Sequence, residues 1–238
     1  FEIPRRLLPE IRWAGTPVGK IRPQVAESLG VSNNVVVSVG GQDQKVAALG
    51  AGIQDSTATL SMGTATTLTQ IMRAPYTDAH MRIPTFAFVQ PERWELEGVV
   101  GTGAGSLRWY RDTVGGQPSY QDLDREAGQS LPGAGGVFFY PHLTGATSPH
   151  WEGQARGAFY GLSLATQRGD MTRAVLEGVA YQVRENLSVA EQIAGPVERM
   201  IVFGGGARSA LWREIVSNVL NRPLAFTRTV EAAGLGAA

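Results

Sequence analysis

Four glycine-rich turns are the parts of this 238-residue sequence whose residue types and spacing could best do chemistry. Each follows a predicted strand, and three lead directly into a predicted helix. Backbone N–H groups in such turns can point at an anion, and a helix N-terminus adds partial positive charge. Any one could be an ordinary turn, but four in one chain favour contact with a ligand. The turns are 40–44 (GGQDQ), 61–66 (SMGTAT), 101–106 (GTGAGS) and 204–209 (GGGARS).

None of these turns matches a standard phosphate fingerprint. No Gly-Lys-Ser/Thr follows any of them, which excludes the Walker A pattern. The glycines of 101–106 have the wrong spacing for a dinucleotide fold, and no acidic residue ends the following strand. The sequence therefore predicts phosphate contacts of another kind.

Asp43 is the carboxylate whose position is most informative. It follows a predicted buried strand and opens a predicted helix, between Gln42 and Gln44. One interpretation makes it the helix N-cap, a position that Asp favours. The other makes it a general base that takes a proton from a substrate hydroxyl, as kinases require. Spacing alone favours the cap and leaves the base open.

Other catalytic chemistries have little support in the sequence. His80, His142 and His150 are far apart and lack the paired spacing of a metal site. The absence of Cys removes disulfides, thiolate nucleophiles and cysteine-ligated zinc. Ser163 and Ser209 lie in no nucleophile elbow, which argues against a hydrolase triad.

The composition is that of an ordinary soluble protein with enough apolar residues for a sizeable core. The 21 basic and 21 acidic residues cancel, and the five Trp form no basic-aromatic stripe, so we expect no nucleic-acid partner. No run of 18 apolar residues occurs, so we expect no membrane span. The lack of Cys is compatible with a cytoplasmic protein, which is our expectation.

The elements that must position the turns predict a mixed α/β fold. A helix over 170–193 is the longest, with an apolar face formed by Met171, Ala174, Val175, Gly178, Val179 and Val183. Strand 34–39 should be buried. The other predicted strands are 57–62, 64–72, 86–89, 94–100, 137–140, 158–160, 200–203 and 224–227, and the other predicted helices are 23–29, 42–49, 103–113, 120–127 and 210–220.

These turns in this order resemble the FGGY carbohydrate kinases, which have the actin-like, ribonuclease-H-like ATPase fold. Residues 157–162 (GAFYGL) and, after seven residues, 170–177 (DMTRAVLE) resemble the C-terminal signature of the family. Residues 204–213 are similar to its adenosine turn, especially in the form found in xylulokinases. Residues 97–112 resemble its connecting turn and helix.

The resemblance implies roles for individual residues. Asp43 matches the catalytic base, which reverses the preference from spacing, and it would contact Mg²⁺ indirectly through water. Gln44 matches a position that contacts substrate hydroxyls. Gly63 and Thr64 match the motif that holds the β- and γ-phosphates. The remaining ATP-binding positions are Gly103, Ala104 and Gly105 near the phosphates or ribose, and Gly205, Gly206 and Ser209 beside adenine; Ser209 stands where some relatives have Asn, which shortens that contact.

The resemblance also implies a domain division. Residues 1–50 would be the tail of an N-terminal sugar-binding domain that ends with the catalytic Asp, and 51–238 a C-terminal nucleotide-binding domain, truncated at its end. The family's first phosphate loop, an Asp-Gly-Thr pattern, does not occur. We therefore expect the second half of a longer kinase, inactive by itself.

The implied function is transfer of the γ-phosphate of Mg-ATP to a hydroxyl of a ketopentose such as xylulose. The alternatives are another FGGY kinase, for gluconate, glycerol or another polyol or ketose, or an actin-like nucleotide-binding module without sugar chemistry. Lys20 and Lys45 are the sole lysines, so backbone groups and Mg²⁺ should neutralise the phosphates. A homodimer is a further expectation, since FGGY kinases are often dimers.

Overall fold

The computed structural model describes residues 3–227 and 231–237. Residues 1, 2, 228–230 and 238, which belong to the predicted domain ranges 1–50 and 51–238, lie outside the described residues. The mixed α/β prediction is confirmed. The strands are β1 Pro17–Lys20, β2 Val36–Ser38, β3 Thr57–Met62, β4 Thr66–Met72, β5 Thr85–Ala87, β6 Trp94–Val100, β7 Phe138–Tyr140, β8 Ala158–Tyr160, β9 Arg199–Phe203 and β10 Leu224–Phe226. The helices are α1 Pro23–Leu29, α2 Asp43–Gly50, α3 Gly103–Trp109, α4 Tyr120–Gln129, α5 Arg168–Ala194, α6 Ala210–Leu220 and α7 Ala232–Ala237.

A six-stranded mixed sheet in the order β10-β9-β3-β4-β6-β5 organises the described residues. β10, β9 and β3 are parallel, whereas β4, β6 and β5 continue the sheet with antiparallel pairings. β3 and β4 are buried along almost their whole length, which suits their β-branched and apolar residues. The turns that follow β3, β6 and β9 are those at 61–66, 101–106 and 204–209.

The 27-residue helix α5 forms the centre of the main core. Sequence periodicity predicts one apolar face, but the structure buries α5 on almost every side, because the sheet, α4, α6 and β7 all pack against it. Gly178 permits the close approach of β7 to this helix. A Cβ at that position would overlap the carbonyl oxygen of Phe139 on β7.

The predicted buried strand over 34–39 is wrong in one respect. β2 forms there, but its residues are exposed, with Val36 55% accessible. The physical reason is that β2 pairs with β1 alone in a two-stranded ribbon, and no described residue packs a core against it.

The opposite face of the main sheet carries α2, the helix that begins at Asp43. Ala48 of α2 is buried with Ile53, Ile71 and Phe88. α7 packs closely on α2, since a Cβ at Gly50 would overlap the Ala232 carbonyl oxygen. α2 is therefore held between the sheet and α7. In the described part of the chain, no helix is both long and apolar enough to cross a membrane.

Candidate functional site

The turns after β3 and β6 are joined to each other by backbone hydrogen bonds. The N–H of Ala104 donates to Gly63 O at 2.9 Å, and the N–H of Gly105 donates to Thr64 O at 3.0 Å. These two donors are therefore used inside the protein and do not form the anion cradle that a glycine-rich turn predicts. The turn at 101–106 instead supports the turn at 61–66.

Gly103, an expected ATP contact, is buried and outside the cavity described below. A Cβ there would overlap the Thr66 hydroxyl and lie 2.7 Å from the Thr66 backbone nitrogen. The glycine therefore permits the first turn of α3 to pack directly against β4. Its role in the structure is packing.

The turn at 61–66 keeps free donors. The N–H groups of Gly63 and Thr64 donate to no described residue. Arg108 of α3 lies beside them, with its Nη2 3.4 Å from the Thr64 hydroxyl. Free backbone donors, a hydroxyl and a guanidinium at one point form a site that suits a phosphate group.

The turn at 204–209 lies against the end of β3. Gly204 has a φ of +95°, and a Cβ there would lie 2.9 Å from the Met62 carbonyl oxygen, so both conformation and space require glycine. The N–H of Gly205 donates to no described residue. Ser209 caps α6, since its hydroxyl accepts a hydrogen bond from the Trp212 N–H at 3.0 Å.

The turns at 61–66, 101–106 and 204–209 line one cavity of about 520 Å³, which is within the usual size of a small-molecule site. It brings together seven expected ATP-binding residues: Gly63, Thr64, Ala104, Gly105, Gly205, Gly206 and Ser209. Sequence reasoning missed six other lining residues that carry polar or aromatic groups: Arg108, Tyr120, Gln121, Asp124, Arg208 and Trp212.

Two of the missed residues had a signal in the sequence. Arg108 lies two residues after the turn at 101–106 and Arg208 lies within the turn at 204–209, whereas the expected phosphate-binding cation was a lysine. Asp124 had no such signal, because it reaches the cavity through the packing of α4 on α5. Burial raises the pKa of Asp124, whereas a hydrogen bond with the Ser209 hydroxyl lowers it.

Asp43 is not the N-cap of α2. Gln42 has the extended backbone of a cap, and its Oε1 accepts a hydrogen bond from the Lys45 N–H at 3.3 Å. Asp43 is the first helical residue, is exposed, and accepts a hydrogen bond from the adjacent Gln44 N–H at 2.8 Å. The cap hypothesis is therefore wrong, and most of the carboxylate's hydrogen-bonding capacity stays open to solvent.

The structure does not bring Asp43 and Gln44 into this cavity. Asp43 lines a separate depression of about 660 Å³ together with Gly40 and Gly41. Gln44 is half-buried and lines neither the cavity nor this depression.

Behind Asp43, α2 carries a charged contact to the sheet. The Lys45 ammonium pairs with the Glu95 carboxylate of β6 and lies 3.9 Å from Glu97 Oε2. Burial raises the pKa of Glu95 to about 7, against the opposing effect of Lys45. Lys45 thus serves an internal contact and is not a surface lysine.

The described residues contain no cluster of three or more His, Asp or Glu that could hold a metal ion. Mg²⁺ in phosphoryl-transfer sites keeps several waters and needs one or two carboxylates plus the phosphates of the substrate. An exposed single carboxylate such as Asp43 fits a contact of that type through water.

Comparison with known proteins identifies relatives along the whole chain. The C-terminal domain of the FGGY family of carbohydrate kinases matches residues 58–238, and its N-terminal domain matches residues 1–50. A xylulose kinase of Staphylococcus epidermidis is 30% identical over 222 residues, which is 93% of this chain and 45% of that protein. A gluconokinase of Bacillus subtilis is 31% identical over 227 residues, 90% of this chain and 44% of that protein.

A solved structure agrees with these sequence matches. The crystal structure of a xyloylose kinase from Brucella ovis superimposes with a TM-score of 0.86 at 31% identity, over 99% of this chain and 50% of that one. The chain belongs to the FGGY family of carbohydrate kinases, and its fold is the actin-like ATPase fold. It spans about half the length of the curated relatives it matches.

Proposed function

We propose that this chain is the nucleotide-binding part, together with the catalytic base, of an ATP-dependent sugar kinase. The observation that carries the proposal is the cavity at the glycine turns. At one point it combines the free N–H groups of Gly63 and Thr64 with the guanidinium of Arg108. Phosphoryl transfer requires mainly positioning and charge stabilisation, and these groups supply both.

Mg-ATP is the proposed co-substrate, with its phosphates at Gly63 and Thr64. The adenosine would lie toward Gly205, Gly206 and Ser209. Ala104 and Gly105 form the wall between these ends and, through their hydrogen bonds, hold the phosphate turn in place. The two arginines of the cavity, Arg108 and Arg208, add positive charge that the count of two lysines did not predict.

Asp43 is the proposed general base, and Gln44 the proposed contact to a substrate hydroxyl. The Asp43 carboxylate removes the proton from the sugar hydroxyl as the oxygen of that hydroxyl attacks the γ-phosphorus of ATP, and ADP leaves. Because Asp43 lies outside the nucleotide cavity, the transfer requires the two sites to approach each other. The closing of a cleft around both substrates provides such an approach.

The proposed acceptor is a ketopentose such as xylulose. Relatives named xylulose kinase support this choice. The gluconokinase of Bacillus subtilis is equally similar in sequence, so gluconate and other polyols are the alternative acceptors. The proposal places residues 1–50 in a sugar-binding domain and 51–238 in the nucleotide domain, in a cytoplasmic enzyme that forms a homodimer.

The test is ADP release by the complete protein with Mg-ATP and a panel of ketoses, polyols and gluconate. We expect xylulose to stimulate it most, and Asp43→Asn to lower kcat by orders of magnitude while the Kd for ATP stays within about twofold, because the nucleotide cavity is separate. Asp112→Asn, which changes an exposed carboxylate of the helical segment after α3, is the control and should be normal. Normal turnover by Asp43→Asn would refute the role of this residue.

A non-catalytic nucleotide-binding module is the second candidate, and the separation of Asp43 from the cavity favours it. ADP release that no sugar stimulates would support this candidate. We also expect the 238-residue chain alone to bind ATP without sugar-dependent ATP consumption. Sugar phosphorylation by that chain would contradict the proposed need for further sugar-binding residues.

A further inference from the structure

Lys45 is a largely buried lysine close to the proposed base. It lies two residues after Asp43, in the first turn of α2, and its side chain is 14% exposed. The ammonium pairs with Glu95 of β6, and it lies 4.3 Å from the centre of the Phe86 ring of β5. The first turn of α2 is therefore attached to two strands of the main sheet.

This attachment is a poor device for stability alone. Glu95 is completely buried, and its Oε2 has no hydrogen-bond partner among the described residues. A buried ion pair with an unsatisfied oxygen often stabilises a fold no better than apolar residues of similar volume. What the ion pair does provide is a defined orientation of the first turn of α2 on the sheet, because a charged contact in an apolar environment has one favourable geometry.

The other contacts of α2 do not fix its first turn in this way. They are apolar or involve glycine, such as the packing of Gly50 on α7 and of Ala48 on Ile53. Among the described residues, the ion pairs of α2 are those of Lys45 with Glu95 and Glu97. Loss of the Lys45 side chain would leave the first turn without an ion pair to the sheet.

The strand at the other end of this contact leads to the nucleotide cavity. β6 carries Glu95 and ends at Val100, directly before the turn at 101–106. In that turn, Ala104 and Gly105 bond to Gly63 and Thr64 of the phosphate turn. Asp43 and the phosphate turn are thus linked through α2, Lys45, Glu95 and β6.

We propose that Lys45 is a positioning residue that, through Glu95, orients the first turn of α2, and with it the Asp43 carboxylate, for the moment when the two sites approach each other. The inference rests on the proposed function, since it takes Asp43 as the base. Lys45 itself contacts neither the cavity nor the depression around Asp43. It should therefore affect the transfer step and leave nucleotide binding unchanged.

The test is Lys45→Met in the complete protein, which removes the charge and keeps most of the side-chain length. We expect kcat to fall at least tenfold, toward the roughly hundredfold loss that a displacement of about 1 Å can cause, with KM and Kd for ATP within about twofold. The matched control is Arg82→Met, which breaks an ion pair to the buried Asp78 away from both sites. It should lower stability and leave kcat unchanged.

A second variant removes the unpaired charge that Lys45→Met leaves behind. Lys45→Met with Glu95→Gln should fold, as judged by ATP binding, and should still show the reduced kcat. Wild-type kcat in either variant that binds ATP overturns the proposal, as does an equal loss in Arg82→Met. Asp43→Asn, measured alongside, separates the positioning role of Lys45 from the proposed function. If Asp43→Asn is inactive while Lys45→Met has normal kcat, the positioning role alone fails. If Asp43→Asn is active, the proposed function fails.

Discussion

Arg108 provides the most direct test of where the phosphates bind. Its side chain lines the cavity beside Gly63 and Thr64, with Nη2 3.4 Å from the Thr64 hydroxyl. Arg108→Gln removes the positive charge and keeps a polar side chain. The cavity then loses one charge-assisted contact to the ligand, while its walls stay in place.

The expected magnitude follows from the exposure of the arginine. A hydrogen bond to a charged group contributes about 1.5–3 kcal/mol, and each 1.4 kcal/mol corresponds to about a tenfold change in Kd. Because Arg108 is solvent-exposed, the lower end of that range applies. We therefore expect the Kd for ATP to rise about tenfold, and less at high salt because mobile ions screen the contact.

Isothermal titration calorimetry with ATP and with adenosine measures this effect. Adenosine has no phosphate, so its affinity should be unchanged in Arg108→Gln. Arg208→Gln is the matched control, since Arg208 lines the same cavity at the turn proposed for adenosine. The proposed orientation would be refuted if Arg108→Gln weakened adenosine as much as ATP, or if Arg208→Gln had the larger effect on ATP.

Three further outcomes are expected. Gly103→Ala should destabilise the protein by about 1–3 kcal/mol in urea unfolding, because its Cβ would overlap Thr66. Gly128→Ala, in α4 with open space around the new methyl group, should stabilise it by about 0.5–1 kcal/mol; equal effects would contradict the packing role of Gly103. Arg82 lowers the pKa of Asp78 to about 2, so this carboxylate contributes stability above its unfolded pKa near 3.8 and loses it as the pH falls through 2. Asp78→Asn should therefore remove up to about 2 kcal/mol of pH-dependent stability between pH 4 and 2, and an unchanged profile would argue against this pairing.

Local sequence patterns predicted most of the helices and strands. The β-branched, alternating residues of 57–62 indicated β3, and 94–100 was predicted as β6 in a pair with the preceding strand; both have those bounds in the structure. The short strand β1 was missed because Pro17–Lys20 has no alternating apolar pattern. Exposure was harder to predict than the element itself, as β2 shows. Val35, Val36 and Val37 have the composition of a buried strand, but burial depends on which elements pack against it.

In the candidate site too, local features could be predicted from the sequence and tertiary contacts could not. Glycine turns after strands are local features, so 61–66, 101–106 and 204–209 could be recognised in the sequence. Their hydrogen bonds could not, and these bonds decide that Gly63 and Thr64 keep free donors while Ala104 and Gly105 do not. Asp124 lines the cavity because α4 packs on α5, a helix far away in sequence, and no spacing rule describes such packing.

The family signatures, the mixed α/β class and the glycine turns could be read without a structure, because each depends on residues that are neighbours along the chain. The packing of the folded chain was needed to show which donors stay open, that Gly103 packs against β4, and that Lys45 faces the sheet and not a ligand. The physical reason is that hydrogen-bond satisfaction and burial belong to pairs of residues far apart in sequence. They are settled when the sheet and its helices pack together.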